Sequence, residues 1–77
     1  MSTPVEITWL LAAVAKGDAL AFERLYGATS AKLYGVVLRI LRRHDLAAEV
    51  MENAYLQIWR SAGEFNPANS APLAWMV

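Results

Sequence analysis

Cysteine is missing from the chain, so neither a disulfide framework nor a thiolate metal site is available to it. Histidine is nearly missing: His44 stands alone and cannot make a metal cluster by itself. No charge of one sign is in excess, because seven basic residues meet seven acidic ones. A stand-alone nucleic-acid binder carries a clear basic surplus, so this chain should not hold DNA strongly unaided. Glycine and proline are scarce, at four and three residues in 77, which leaves little punctuation and points to helices. Gly35 and Arg39 interrupt the most apolar stretch, so no segment is long enough to span a bilayer. The start MSTPVEITW lacks the basic patch and long apolar run of a signal peptide. A cytoplasmic location is the expectation. There is no strand-like alternation, internal repeat or low-complexity tract. Nor is there a Ser/His/Asp set, an HExxH or a Gly-rich phosphate loop. No catalytic residue, cofactor or metal ligand is expected, and the chain reads as a non-enzyme.

Apolar residues make up 57% of the chain, which excludes a disordered polymer. Seventy-seven residues form at most one small domain with a modest core. The apolar share is high for that size, so some of it should remain on the surface for a partner. Thr3-Pro4-Val5-Glu6 reads as a helix start, with Thr3 as cap, Pro4 at the first position and Glu6 as a capping-box carboxylate. Ile7, Leu10, Leu11 and Val14 follow the spacing of one helical face, and Lys16 and Gly17 close the helix. Asp18 caps the second helix, whose apolar stripe is Phe22, Leu25 and Tyr26. A kink or short break is expected at Gly27-Ala28-Thr29-Ser30, because glycine costs about 1 kcal/mol against alanine inside a helix. Helicity should resume from Lys32 to Arg43, with Leu33, Val36, Val37, Ile40 and Leu41 making a central helix buried around much of its girth. Arg39, Arg42 and Arg43 crowd its end.

The stretch from Asp45 to Trp75 has the most pronounced organisation. Asp45 should cap a third helix running to about Ala62. On it Ala47, Val50, Met51, Ala54 and Ile58 share one face, and Glu49, Glu52, Asn53, Leu56 and Arg60 share the other. Gly63 should end the helix in a positive-φ conformation. A polar loop, EFNPANS, follows. Ser70 can cap a last helix, APLAWMV, that has only begun at Val77, with Leu73, Trp75 and Met76 buried. The chain is expected to be the front part of a longer protein, and the groove left by the missing helix offers a surface for self-association.

Each of these features has a plain reading beside a functional one. Arg39, Arg42 and Arg43 either compensate the helix dipole or contact phosphate. His44 is structural or solvated. The aromatics Trp9, Phe22, Tyr26, Tyr34, Tyr55 and Phe65 sit mostly at core spacing. Trp59 lies on the edge of the polar face, as a cover for the hydrophobic rim or as an interface anchor. The polar face of the third helix is a solvated surface or a dock for a basic helical partner. The loop asparagines either close local turns or, beside Phe65, read an unstacked base.

Three linked segments carry a resemblance: GDALAFERLYGATSAKLYGVVLRIL, DLAAEVMENAYLQIWR and EFNPANSAPLAWM. In order and spacing they resemble the N-terminal half of bacterial sigma factors of the extracytoplasmic-function (ECF) type, over about residues 8 to 77. The resemblance implies the region 2 domain, an all-α bundle, spanning 1–77 and C-terminally incomplete, with the second DNA-binding domain absent. It implies that the third helix docks on the β′ clamp helices of core RNA polymerase through Glu49, Glu52, Asn53 and Leu56, with Arg60 at the edge. It also implies that Phe65, Asn66, Asn69 and Ser70 belong to the loop that captures a flipped base of the promoter −10 element on the non-template strand, with Trp75 supporting it. The family usually has Gln followed by an acidic residue where this chain has Glu52-Asn53. That exchange bears on individual contacts and not on the face as a whole. An anti-sigma factor is a further partner the resemblance implies.

The expectation is therefore an all-α bundle of three main helices, the second kinked, plus the start of a fourth. Its expected role is promoter recognition by binding. The rival reading is a helical protein–protein interaction module with no DNA contact.

Overall fold

The computed structural model describes residues 3–66, 68–69 and 71–76; of Leu73 and Ala74 it describes the backbone alone. Four helices follow in order: α1 (Pro4–Ala15), α2 (Ala19–Leu41), α3 (His44–Ser61) and α4 (Pro72–Met76), with a 3₁₀ turn at Ala62–Glu64 between the last two. There is no strand among the described residues.

Local chemistry sets the first two boundaries. Thr3 Oγ1 accepts a hydrogen bond from the Glu6 N–H at 3.2 Å, and Pro4 sits where its missing N–H is not needed. Gly17 takes φ +85°, reversing the chain after α1. Asp18 Oδ1 then accepts from the Ala21 N–H at 3.1 Å and opens α2. Both expected N-caps form, but among the described residues no bond returns from the Thr3 N–H to the Glu6 carboxylate, so the expected capping box is only half made.

The α1–α2 and α2–α3 faces enclose one core. Ile7, Leu11 and Val14 come from α1, Ala21, Leu25 and Leu33 from α2, and Met51, Tyr55 and Ile58 from α3; Ala62 and Met76 close one end. Leu11 and Leu25 are wholly buried, each contributing about 1.5–3 kcal/mol of apolar transfer. Thr29 is the buried polar residue of this core. Its hydroxyl donates to the Leu25 carbonyl at 2.7 Å, so the Tyr55 hydroxyl donates in turn to Thr29 Oγ1. No buried side-chain polar atom among the described residues lacks a partner.

Several expectations are corrected. No break interrupts α2, which runs as one 23-residue helix through Gly27–Ser30. The Thr29–Tyr55 bond and the packing of Leu25 and Leu33 hold both halves against α3, outweighing the glycine's propensity cost. The far half of α2 is not buried around its girth: Ile40 is 71% exposed, and Val36, Val37 and Leu41 are only half-buried. Asp45 does not cap α3. Arg42 ends α2 in the left-handed region at φ +59°, which makes Arg43 the residue before the helix, without a side-chain cap. Asp45 falls in the first turn and pairs with Arg43 at 2.8 Å; both are exposed, so the pair is worth about 0–1 kcal/mol. Gly63 has no positive φ but sits inside the 3₁₀ turn, packed toward Ala15. Trp9 and Tyr26 are 78% and 50% exposed and so are not core residues. Val50 is 41% exposed, off the buried face of α3. Ser70, expected to cap α4 and to read a base, lies outside the described residues, as does the side chain of Leu73.

Candidate functional site

Helix α3 is rotated so that its apolar residues at steps of four, four and three (Ala47, Met51, Tyr55 and Ile58) are all buried. That phase leaves Glu49, Glu52, Asn53, Leu56 and Arg60 exposed along the opposite side. Leu56 is 49% exposed, an apolar side chain with charged neighbours. The one ion pair among the described residues is Arg43–Asp45, so Glu49, Glu52 and Arg60 are not neutralised internally. The surface is rigidly held, mainly acidic in its first half and basic at its end.

Beside this ridge an open groove of about 960 Å³ runs between α2 and α3. Phe22, Tyr26 and Tyr34 line its α2 wall, and Glu52, Leu56 and Trp59 its α3 wall. The rings form an edge-to-face series: Trp59–Phe22 at 5.2 Å, Phe22–Tyr55 at 6.3 Å and Tyr26–Tyr55 at 4.7 Å. Trp59 is 38% exposed, so it both covers the rim and presents a ring to solvent. The sequence reading did not find this groove. Its signal was there: Phe22, Tyr26, Ser30 and Tyr34 recur every four residues and so form one ridge along α2.

The loop after α3 is shaped by its own polar groups. Asn66 Oδ1 accepts from the Ala68 N–H at 2.9 Å, and the Asn69 N–H donates to the Asn66 carbonyl at 3.0 Å. Asn66 therefore has the turn-closing role, while its side chain and that of Asn69 remain exposed. Phe65 is half-buried, its ring 5.5 Å from that of Trp75, so the aromatic pair ties the loop to α4. Phe65 and Asn66 thus act first on the loop's own shape; Asn69 gives its backbone N–H to that turn and its side chain is exposed.

At the other end, the Tyr34 hydroxyl and His44 Nδ1 are hydrogen-bonded at 2.9 Å, linking α2 to the start of α3. Arg39 and Arg42 are exposed, and Arg43 is bound to Asp45. No group of three or more metal-ligating side chains gathers among the described residues. No helix there is long and apolar enough to cross a membrane. Within this core the Tyr55 hydroxyl has a raised pKa. Burial raises it above the ordinary tyrosine range, the Thr29 hydroxyl offsets part of the rise by turning to donate to the phenolate once Tyr55 ionises, and nearby Tyr26 adds to the rise.

Comparison with known proteins bears on what this surface is for. The family model for sigma-70 region 2 matches residues 25–77. The chain is 43% identical over 68 residues to the ECF RNA polymerase sigma factor SigK of Mycobacterium sp. (strain KMS), covering 88% of this chain and 35% of that protein. It is 40% identical over 68 residues to the SigK of Mycobacterium bovis, covering 88% and 36%. It is 38% identical over 72 residues to the SigK of Mycolicibacterium vanbaalenii, covering 94% and 37%. The chain thus spans about a third of the length of the curated relatives it matches. No solved structure matches it at significance.

Proposed function

The chain belongs to the sigma-70 region 2 family, and on that premise we propose that residues 1–77 form one region 2 domain of an ECF-type sigma factor. The domain docks on the β′ clamp helices of core RNA polymerase through Glu49, Glu52, Asn53, Leu56 and Arg60. The loop after α3 contributes to reading the promoter −10 element on the non-template strand. The work is binding without catalysis, in the cytoplasm where polymerase acts, and an anti-sigma factor is the regulatory partner class.

The observation that carries the docking reading is the exposed face of α3, its charges without an ion-pair partner among the described residues, opposite the side that Ala47, Met51, Tyr55 and Ile58 bury. A rigid acidic ridge with a central leucine suits a basic helical partner. The neutral net charge fits the same division of labour: polymerase supplies most of the backbone affinity, and this domain supplies contacts to bases. Within the loop, Asn69 is the stronger candidate for a base contact, because Asn66 Oδ1 is engaged with Ala68.

Binding of the chain to purified core polymerase tests this. Glu49→Lys with Glu52→Lys turns two attractive contacts into repulsive ones, and affinity should fall by more than about tenfold, since like-charge juxtaposition costs several kcal/mol. Both positions are exposed, so circular dichroism should be unchanged. Undiminished binding by the folded double variant removes the clamp assignment. In a second arm, Asn69→Ala should lower selectivity for a −10 single strand in the presence of core polymerase while leaving polymerase binding intact. Equal selectivity takes the loop out of the mechanism and favours a protein-binding module.

A further inference from the structure

The groove between α2 and α3 has a composition that defines its occupant. Its walls carry five aromatic rings, from Phe22, Tyr26, Tyr34, Tyr55 and Trp59, and its one ionised side chain is Glu52. No lysine or arginine lines it. Glu49 precedes Glu52 by one helical turn on the adjoining ridge, so negative charge continues out of the groove onto the face already described. Aromatic faces attract cations through their ring quadrupoles, and a carboxylate at the rim adds a charge-assisted hydrogen bond. A plain apolar side chain would use the rings and waste the carboxylate. A carboxylate or phosphate would meet Glu52 as a like charge.

We infer that this groove is an arginine receptor: a guanidinium on the docking helix of the partner enters it beside the exposed rings of Tyr26 and Trp59 and pairs with Glu52. The inference rests on the docking reading and extends it from α3 alone to a two-helix surface in which α2 supplies half the wall. The planar guanidinium stacks on a ring while its N–H groups reach the carboxylate, which a lysine ammonium does less well. Trp59 and Tyr26 are 38% and 50% exposed, so their rings are available without rearrangement of the core.

The test is binding of the 77-residue chain to purified core polymerase, with Trp59→Leu and Tyr26→Leu, singly and together, beside Trp59→Phe and the Glu49→Lys/Glu52→Lys pair. Leucine keeps an apolar cover and removes the ring. The double leucine variant should lose about tenfold or more in affinity, and Trp59→Phe should stay within about threefold. Should the double variant lose helicity, the single Tyr26→Leu, at a half-exposed site, gives the same reading. Leucine variants that bind like the parent, while the lysine pair does not, overturn the receptor and leave docking in place. Binding unchanged by every variant overturns docking itself. A parent chain that sediments as a dimer, made monomeric by Trp59→Leu, assigns the groove to a second copy and overturns the arginine.

Discussion

Thr29 and Tyr55 show how one residue pair can reverse a local preference. Threonine in mid-helix is a weak helix former, and Gly27 two residues earlier weakens the same turn. Yet Thr29 is 1% exposed, and its hydroxyl is bonded on both sides. The pair gives α2 and α3 a polar lock inside an apolar core, and it has a pH signature. Burial keeps Tyr55 protonated in the folded state above the pH at which it ionises in the unfolded chain. The unfolded chain therefore releases this proton first. Its contribution is intact below the ordinary tyrosine value of about 10 and is lost as pH rises through the folded value. Urea midpoints measured from pH 7 to 11 should fall above pH 10 in the parent and fall less steeply in Tyr55→Phe. The phenylalanine variant leaves Thr29 still bonded to the Leu25 carbonyl, so no buried donor is stranded. Parallel alkaline losses in the two proteins would mean that Tyr55 ionises equally in both states.

At the scale of the elements, glycines with different backbone geometry should respond in opposite directions. Gly27 and Gly35 lie inside α2 with nothing near the position of an added Cβ, so Gly→Ala at each should stabilise by about 0.5–1 kcal/mol. Gly17 also has open space, but at φ +85°, and Gly17→Ala should destabilise by about 1 kcal/mol or more. Denaturant midpoints check the signs, and gains at all three would contradict the turn geometry between α1 and α2.

These same elements show what was legible in the sequence. Thr3 and Asp18 cap through side-chain bonds to residues three positions on, and Pro4 and Gly17 act through their own backbone conformation, so the first two boundaries could be read directly. The exposed face of α3 and most of its buried face follow from spacing alone and were also legible; Val50 proves exposed and Ala54 half-buried, while Tyr55, not read onto that face, is buried. What was not legible depended on distant partners. Thr29 keeps α2 whole through Tyr55, 26 residues away. Arg42 turns the chain in a conformation usually reserved for glycine or asparagine, and this moves the start of α3 off Asp45. The exposure of Trp9 and Ile40 depends on which sides of α1 and α2 the other helices cover. The site divides the same way: its ridge was read from one helix, and its groove, which needs two, was missed.

The whole molecule is a small bundle of 33 × 22 × 22 Å whose core holds one charged ridge beside one aromatic groove. The second face of the bundle, around Val5 and Trp9, is also exposed and partly apolar, and it has no part in the proposed docking. That contrast permits a direct measurement. A photo-crosslinking amino acid is placed at position 56 in one protein and at position 5 in another, both exposed positions on different helices. Each is irradiated with purified core RNA polymerase, and the adducts are mapped by mass spectrometry. The account predicts an adduct to the β′ clamp helices from position 56 and none from position 5. Crosslinking to polymerase from position 5 with none from position 56 would contradict it.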